Sequence, residues 1–225
     1  MKPRLSTRHE TAMTLFEVGI LVAVVMILVI VFLPRITSPR RTYGSIACVN
    51  NLKQLGLAYR VWAGDNNDLY PMGISITNGG SMELVRTGDV VQTYLVMSNE
   101  LSTPKILYCP EDRIRTPAIT FSSWIGNRNL SYFVGVHATN DLSPLLILSG
   151  DSHLTRSNLP PLPPGLHALG TNELVGWTNQ RHTGSRHSDQ GNIGLADGSV
   201  QQTDSTRMRE FLTETGRATN SFAIP

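Results

Sequence analysis

The feature that most constrains this chain is residues 18–33, VGILVAVVMILVIVFL, an unbroken run without a charged or strongly polar side chain. A helix built from it has no polar stripe and so no side to give to water. Extending the run back through residues 13–16 reaches a length that crosses hydrocarbon, but it encloses one carboxylate, Glu17. A cleavable secretory signal fits less well, because residues 32–36 offer no small-x-small cleavage site. Lys2, Arg4 and Arg8 precede the run and Arg35, Arg40 and Arg41 follow it, so charge does not decide its orientation. The sequence therefore predicts a transmembrane helix and assembly segment over residues 13–34, behind a short basic leader over residues 1–12.

Glu17 needs a reason to be there. An ionised carboxylate within such a segment costs about 2.5–3.5 kcal/mol on insertion scales, and no basic side chain lies within one helical turn of it. A cut before Met13 would create an α-amine four residues away, which Glu17 can neutralise in cis or from a neighbouring subunit. Glu17 then reads as an assembly device.

The run from Ala12 to Glu17, AMTLFE, between a basic leader and an unbroken apolar stretch, resembles the processing site of type IV prepilins and type II secretion pseudopilins. The resemblance implies cleavage by a prepilin peptidase between Ala12 and Met13, methylation of the Met13 amine, and a need for Glu17 in assembly. Ala12 stands where the family usually has glycine, and Met13 where it has phenylalanine. Pro34 stands where many pilin helices carry a bending proline. Removing the leader takes three basic residues and one acidic one from totals of 19 and 17, leaving a neutral chain.

Beyond Pro39 the pattern turns amphipathic. Ile46, Val49, Leu52, Leu55, Tyr59 and Trp62 recur at three- and four-residue spacing, which predicts a stalk helix over residues 35–63. Gly64 and the polar run at 65–68 end it. Residues 64–225 form the remaining, globular head. A formal charge of +2 with 16% charged and 40% hydrophobic residues argues against a general nucleic-acid binder and against disorder.

Three further blocks resemble a subgroup of bacterial pseudopilin-like proteins. They are C-x-N-N-L-K-Q at residues 48–54, Cys-Pro-x-Asp at 109–112, and an H-x9-D-G signature formed by His187, Asp197 and Gly198. Two cysteines are too few for a four-ligand zinc site or a disulfide-dense scaffold, and leave either one bridge or two buried thiols. The oxidising side of a cell envelope, which the resemblance implies for the head, favours a Cys48–Cys109 bridge.

Within the head, residues 192–202 read as a β-hairpin with Asp197-Gly198 as its two-residue turn. His187 is expected near the hairpin's base, with an architectural role. Residues 131–136 and 145–148 read as strands, 90–101 as a short helix or a strand, and the proline-rich 159–164 as a surface loop. Residues 206–212 read as a short closing helix capped by Ser205 or Asp204.

His182, His187, Asp189 and Asp197, with Asp151 and His153 elsewhere, are the candidate constellation for acid–base or metal chemistry. No hydrolase, zinc-protease or phosphate-loop motif accompanies them, and Arg181 and Arg186 flank the imidazoles. The sequence therefore predicts no enzyme, no metal residues and no cofactor. Residues 65–68 offer oxygen ligands for calcium but lack the alternating spacing of a calcium loop.

The expected fold is α+β and pilin-like: a long N-terminal helix, transmembrane then amphipathic, packed on a small antiparallel sheet. The expected function is a structural subunit of a type II secretion pseudopilus or type IV pilus-like filament. The resemblance implies an inner-membrane, single-pass location with the head periplasmic or extracellular. It also implies, as partners, a prepilin peptidase, other pilin-like subunits in a homo- or hetero-polymer, an inner-membrane assembly platform and the membrane, with no nucleic acid. The alternative is a signal-anchored extracytoplasmic hydrolase or ligand-binding module.

Overall fold

The structure, a computed structural model, describes residues 15–36, 40–121, 125–157, 159–178 and 190–225. The chain divides into two compact units, Met1–Arg41 and Thr42–Pro225. In the first lies helix α1, Leu15–Ile36, with Glu17 in its first turn. From residue 15 to residue 30 every side chain is exposed.

The predicted transmembrane element is corrected here. Among the described residues no helix is long and apolar enough to cross a membrane. The physical reason is length: the uncharged run of residues 18–33 rises about 24 Å as an α-helix, against about 30 Å of hydrocarbon, and lengthening it brings in Glu17. The single-pass inner-membrane location rested on that span and is withdrawn with it. The expected fold changes accordingly, to an α+β fold whose sheet-packing helix is a separate element.

That element is α2, Arg40–Gly64. It buries Cys48, Leu52, Leu55, Ala58, Tyr59, Trp62 and Ala63 on one face, whereas Ile46, predicted to share that face, is exposed. Three short helices follow: α3 (Met82–Val85), α4 (Val91–Val96) and α5 (Ser98–Leu101). Residues 90–101 thus resolve as helix.

The strands are β1 (Tyr132–Gly135), β2 (Ile147–Asp151), β3 (Leu154–Arg156), β4 (Gly165–Gly170), β5 (Val175–Trp177), β6 (Gln190–Leu195), β7 (Val200–Asp204) and β8 (Thr219–Ile224). Six form one antiparallel sheet in the order β4-β8-β1-β2-β6-β7, and β3 pairs with β5. Helix α6, Ser205–Glu214, lies between β7 and β8, and Asp204 caps it by accepting from the Arg207 N–H at 2.7 Å.

Alternation along the strands sorts side chains to two cores. Tyr132 and Val134 of β1 join the α2 residues with Tyr94, Leu107 and Leu130. Phe133, Ile193 and Phe222 point the other way, toward Met208, Phe211 and Leu212 of α6 and Val175 and Trp177 of β5. Both sheet faces are therefore covered. That explains why β2, read as ending at residue 148, runs on to Asp151 with all five of its residues buried. Gly150 belongs to this inner strand because a Cβ there would sit 2.7 Å from the Phe133 ring.

Candidate functional site: the Asp197 turn docked on the second helix

The site is built from α2 outward. The helix stops at Gly64, after which Asn66 Nδ2 donates to the Trp62 carbonyl at 2.7 Å and Asn67 and Asp68 take φ of +56° and +58°. Left-handed backbone of this kind suits Asn and Asp, whose short side chains bond locally. Residues 65–68 are thus a helix-terminating turn. The chain returns through Tyr70, whose N–H donates to the Thr139 carbonyl at 2.8 Å.

Against the same helix lies the hairpin of β6 and β7. At its tip Asp197 Oδ1 accepts the Ser199 N–H at 2.8 Å, and Gly198 has φ +80°. Three contacts hold the tip to α2 and the chain that follows it. Arg60 Nη2 donates to the Asp197 carbonyl, and Tyr70 Oη donates to the Ala196 carbonyl at 3.0 Å. Gly56 faces the turn: a Cβ there would meet Gly198 Cα at 3.6 Å, an ordinary packing distance. Beside the tip, Arg60, Ala63, Asp68, Tyr70 and Asp141 line an open cavity of about 210 Å³. Burial raises the Tyr70 phenol above its ordinary pKa, against the opposing pull of Arg60. Tyr70 therefore stays a donor at neutral pH.

The other signature residues meet around α2 as well. Cys48 and Cys109 are bonded, with Cα atoms 5.1 Å apart. Asn51 Nδ2, three residues along the helix, donates to the Tyr108 carbonyl at 2.8 Å. Asp112, of the Cys-Pro-x-Asp block, is buried and accepts from Ser131 Oγ at 2.7 Å and from the Ile114 N–H at 3.1 Å. It also pairs with Arg115 at 3.3 Å. Arg115 in turn donates to Ser152 Oγ and to the Pro225 carbonyl, both at 2.7 Å. This ion pair ties the 109–115 loop to the ends of β1, β2 and β8.

Asp151 and His153 sit in a second polar patch. Asp151 Oδ2 accepts the Asn192 N–H at 2.8 Å and Asn192 Nδ2 at 2.9 Å. His153 Nε2 lies 3.1 Å from the Gln190 carbonyl, and its ring packs against Trp177 with centroids 5.0 Å apart and a tilt of 38°. Of the signature set, Asp197 and Gly198 form the turn, while His187 lies outside the described residues. So do His182, Asp189 and the processing residues Ala12 and Met13. Glu17 is exposed on α1. Among the described residues no group of three or more His, Cys, Asp or Glu side chains can hold a metal ion.

Sequence reasoning missed Gly56, Arg60 and Tyr70, the groups that receive the turn. Their only signal was position: Gly56 and Arg60 are one helical turn apart, just beyond the block at residues 48–54. Arg115 was signalled only by its spacing of three from Asp112. Comparison with protein families, with curated proteins and with solved structures finds no match.

Proposed function

We propose that this chain is a pilin-like structural subunit, cleaved before Met13 and polymerised with further pilin-like subunits through α1, as in a pseudopilus or a type IV pilus-like filament. The observation that carries this reading is the surface of α1. Its large apolar side chains from Leu15 to Ile30 are 43–92% exposed, on every face, and Glu17 is the one charged group among them. An apolar surface so extensive marks an association site. Both cores of the second unit, by contrast, are built from residue 48 onward.

Helices of neighbouring subunits, packed side by side, would remove these side chains from water. Glu17 would set the stagger, its carboxylate meeting the Met13 amine of the next subunit. On this reading a prepilin peptidase and assembly machinery are further partners, and the head is structural rather than catalytic.

Mass determination of the mature N-terminus, combined with crosslinking of oligomers, tests the proposal. Methylated Met13 and crosslinked ladders that disappear with Glu17→Ala are expected. A protein that retains Met1 and forms the same ladders with Glu17→Ala would refute it.

A further inference from the structure

The cavity beside the hairpin tip is lined by charges of both signs that do not neutralise one another. Ala63 and Tyr70, both buried, form its floor, and Arg60, Asp68 and Asp141, all exposed, form its rim. All five belong to the second unit. Among the described residues Arg60 is in no ion pair with either carboxylate, its guanidinium nitrogens lying more than 4.0 Å from the Asp68 and Asp141 oxygens.

Each charge is placed by a different segment. Arg60 stands on α2, where Nη2 donates to the Asp197 carbonyl and the guanidinium lies against the turn, a Cβ on Gly198 being 3.2 Å from Arg60 Cζ. Asp68 belongs to the turn that ends α2, and its N–H donates to the Ala63 carbonyl at 3.0 Å. Asp141 lies in the loop between β1 and β2, which is tied down on both sides of it. The Thr139 carbonyl accepts the Tyr70 N–H at 2.8 Å, and the Leu146 carbonyl accepts the Ala196 N–H at 2.9 Å. Next to Asp141 the Leu142 N–H donates to Asn140 Oδ1 at 3.2 Å, a local bond that shapes the loop. Besides its burial, the Tyr70 phenol feels Arg60 in one direction and Asp141 in the other, so both charges act at the cavity floor.

This lining selects against most ligand classes. An apolar molecule would strip water from three charges without replacing it. A simple anion meets two carboxylates, and a simple cation meets the guanidinium. A molecule carrying both signs satisfies both ends: carboxylates suit an ammonium group, and the guanidinium fork has further N–H donors for a carboxylate. At about 210 Å³ the cavity is smaller than the about 300–1,000 Å³ of drug-sized sites, so its occupant is small. We propose that the cavity binds a free α-amino acid, its carboxylate on Arg60 and its ammonium on Asp68 and Asp141. The Ala63 methyl is the apolar surface that meets the ligand's carbon atoms. Such a site asks no catalysis of the head and does not rest on assembly through α1.

Ligand-observed NMR on the full chain, with the standard amino acids as probes at up to about 10 mM, is the test. At least one amino acid should bind. Its analogue lacking the carboxylate, and separately its analogue lacking the ammonium, should each bind at least about tenfold more weakly. Asp68→Asn with Asp141→Asn should weaken binding by at least about tenfold at an unchanged melting temperature, since Asn keeps the turn preferences of Asp. Three results would each overturn the proposal: no amino acid binds, the amine lacking the carboxylate binds equally well, or binding survives the double change.

Discussion

Replacing both Cys48 and Cys109 by alanine should cost the second unit about 4 kcal/mol. The bond closes a loop with a sequence separation of 61 residues. In the chain-entropy picture a loop of that size removes about 14 cal/mol/K from the unfolded ensemble, or about 4 kcal/mol at 25 °C. The Cα separation of 5.1 Å lies inside the ordinary disulfide range, so the folded backbone need not distort to accept the bond. Both residues are fully buried, so the lost sulfur atoms add a small packing cost of the same sign. For a unit of this size the change corresponds to a melting temperature lower by about 8–16 °C. Urea unfolding followed by tryptophan fluorescence is the assay, with the wild type measured with and without dithiothreitol. Reduced wild type should approach the double variant. A double variant within about 0.5 kcal/mol of the oxidised protein, or native thiols that alkylate without reduction, would refute the argument.

Tyr59→Phe should be neutral or stabilise by up to about 1–2 kcal/mol, because Tyr59 Oη is buried without a hydrogen-bond partner and desolvated in the Tyr70 and Tyr94 cluster; a loss above 1 kcal/mol in urea would contradict this. Asp112→Ala should cost about 3–5 kcal/mol by breaking the ion pair with Arg115 in a nearly buried site, measured by thermal unfolding, with Asp112→Asn less damaging. Asp197→Asn should be tolerated because it keeps the acceptor for the Ser199 N–H. Gly198→Val should lose about 2 kcal/mol or more, since φ is +80° and a Cβ would meet the Arg60 guanidinium at 3.2 Å. Because the folded His137 pKa is depressed, the unfolded chain binds more protons as pH falls below about 6.5. Stability tied to that ring should be complete above this pH and decline below it, and His137→Gln should flatten this part of a measured stability–pH profile.

What the sequence revealed is what depends on neighbours along the chain. The buried face of α2 follows from apolar spacing, its end from Gly64, the cap of α6 from Asp204, and the β6–β7 turn from Asp197-Gly198. Each is settled within a few residues, so pattern alone reaches it. Strand β8, by contrast, reads TNSFAI and carries no strong period. It becomes a strand because β1 and β4 supply partners on both its edges, 89 residues upstream in the pairing of Val134 with Ala223 and closer in that of Gly170 with Thr219.

 The His137–Ser221 contact spans 84 residues, and no local pattern encodes a distance of that kind. The same holds for β2: Ser149, Gly150 and Asp151 look like a turn until Asn192 supplies the two donors that let a carboxylate sit in an inner strand.

The candidate site divides along the same line, and the division says what the signature residues are for. Asp197-Gly198 is readable as a turn, but the turn's dock is not, because Gly56, Arg60 and Tyr70 come from a helix and a return loop more than 120 residues earlier, as the Tyr70–Ala196 separation of 126 shows. The disulfide and the Asn51–Tyr108 bond fasten the first half of α2 to the 108–112 loop, and Arg60 with Gly56 fastens its second half to the hairpin tip. One helix thus carries two of the chain's sequence signatures at its two ends. If the signatures serve to hold α2 to the sheet, Cys48→Ala with Cys109→Ala and Arg60→Ala should each raise hydrogen exchange along the whole of α2, since a helix fastened at two points opens as a unit once either fastening fails. Exchange that rises only beside each substitution would mean that the two fastenings act locally, and that the apolar face of Leu52, Leu55, Tyr59 and Trp62 holds the helix without them.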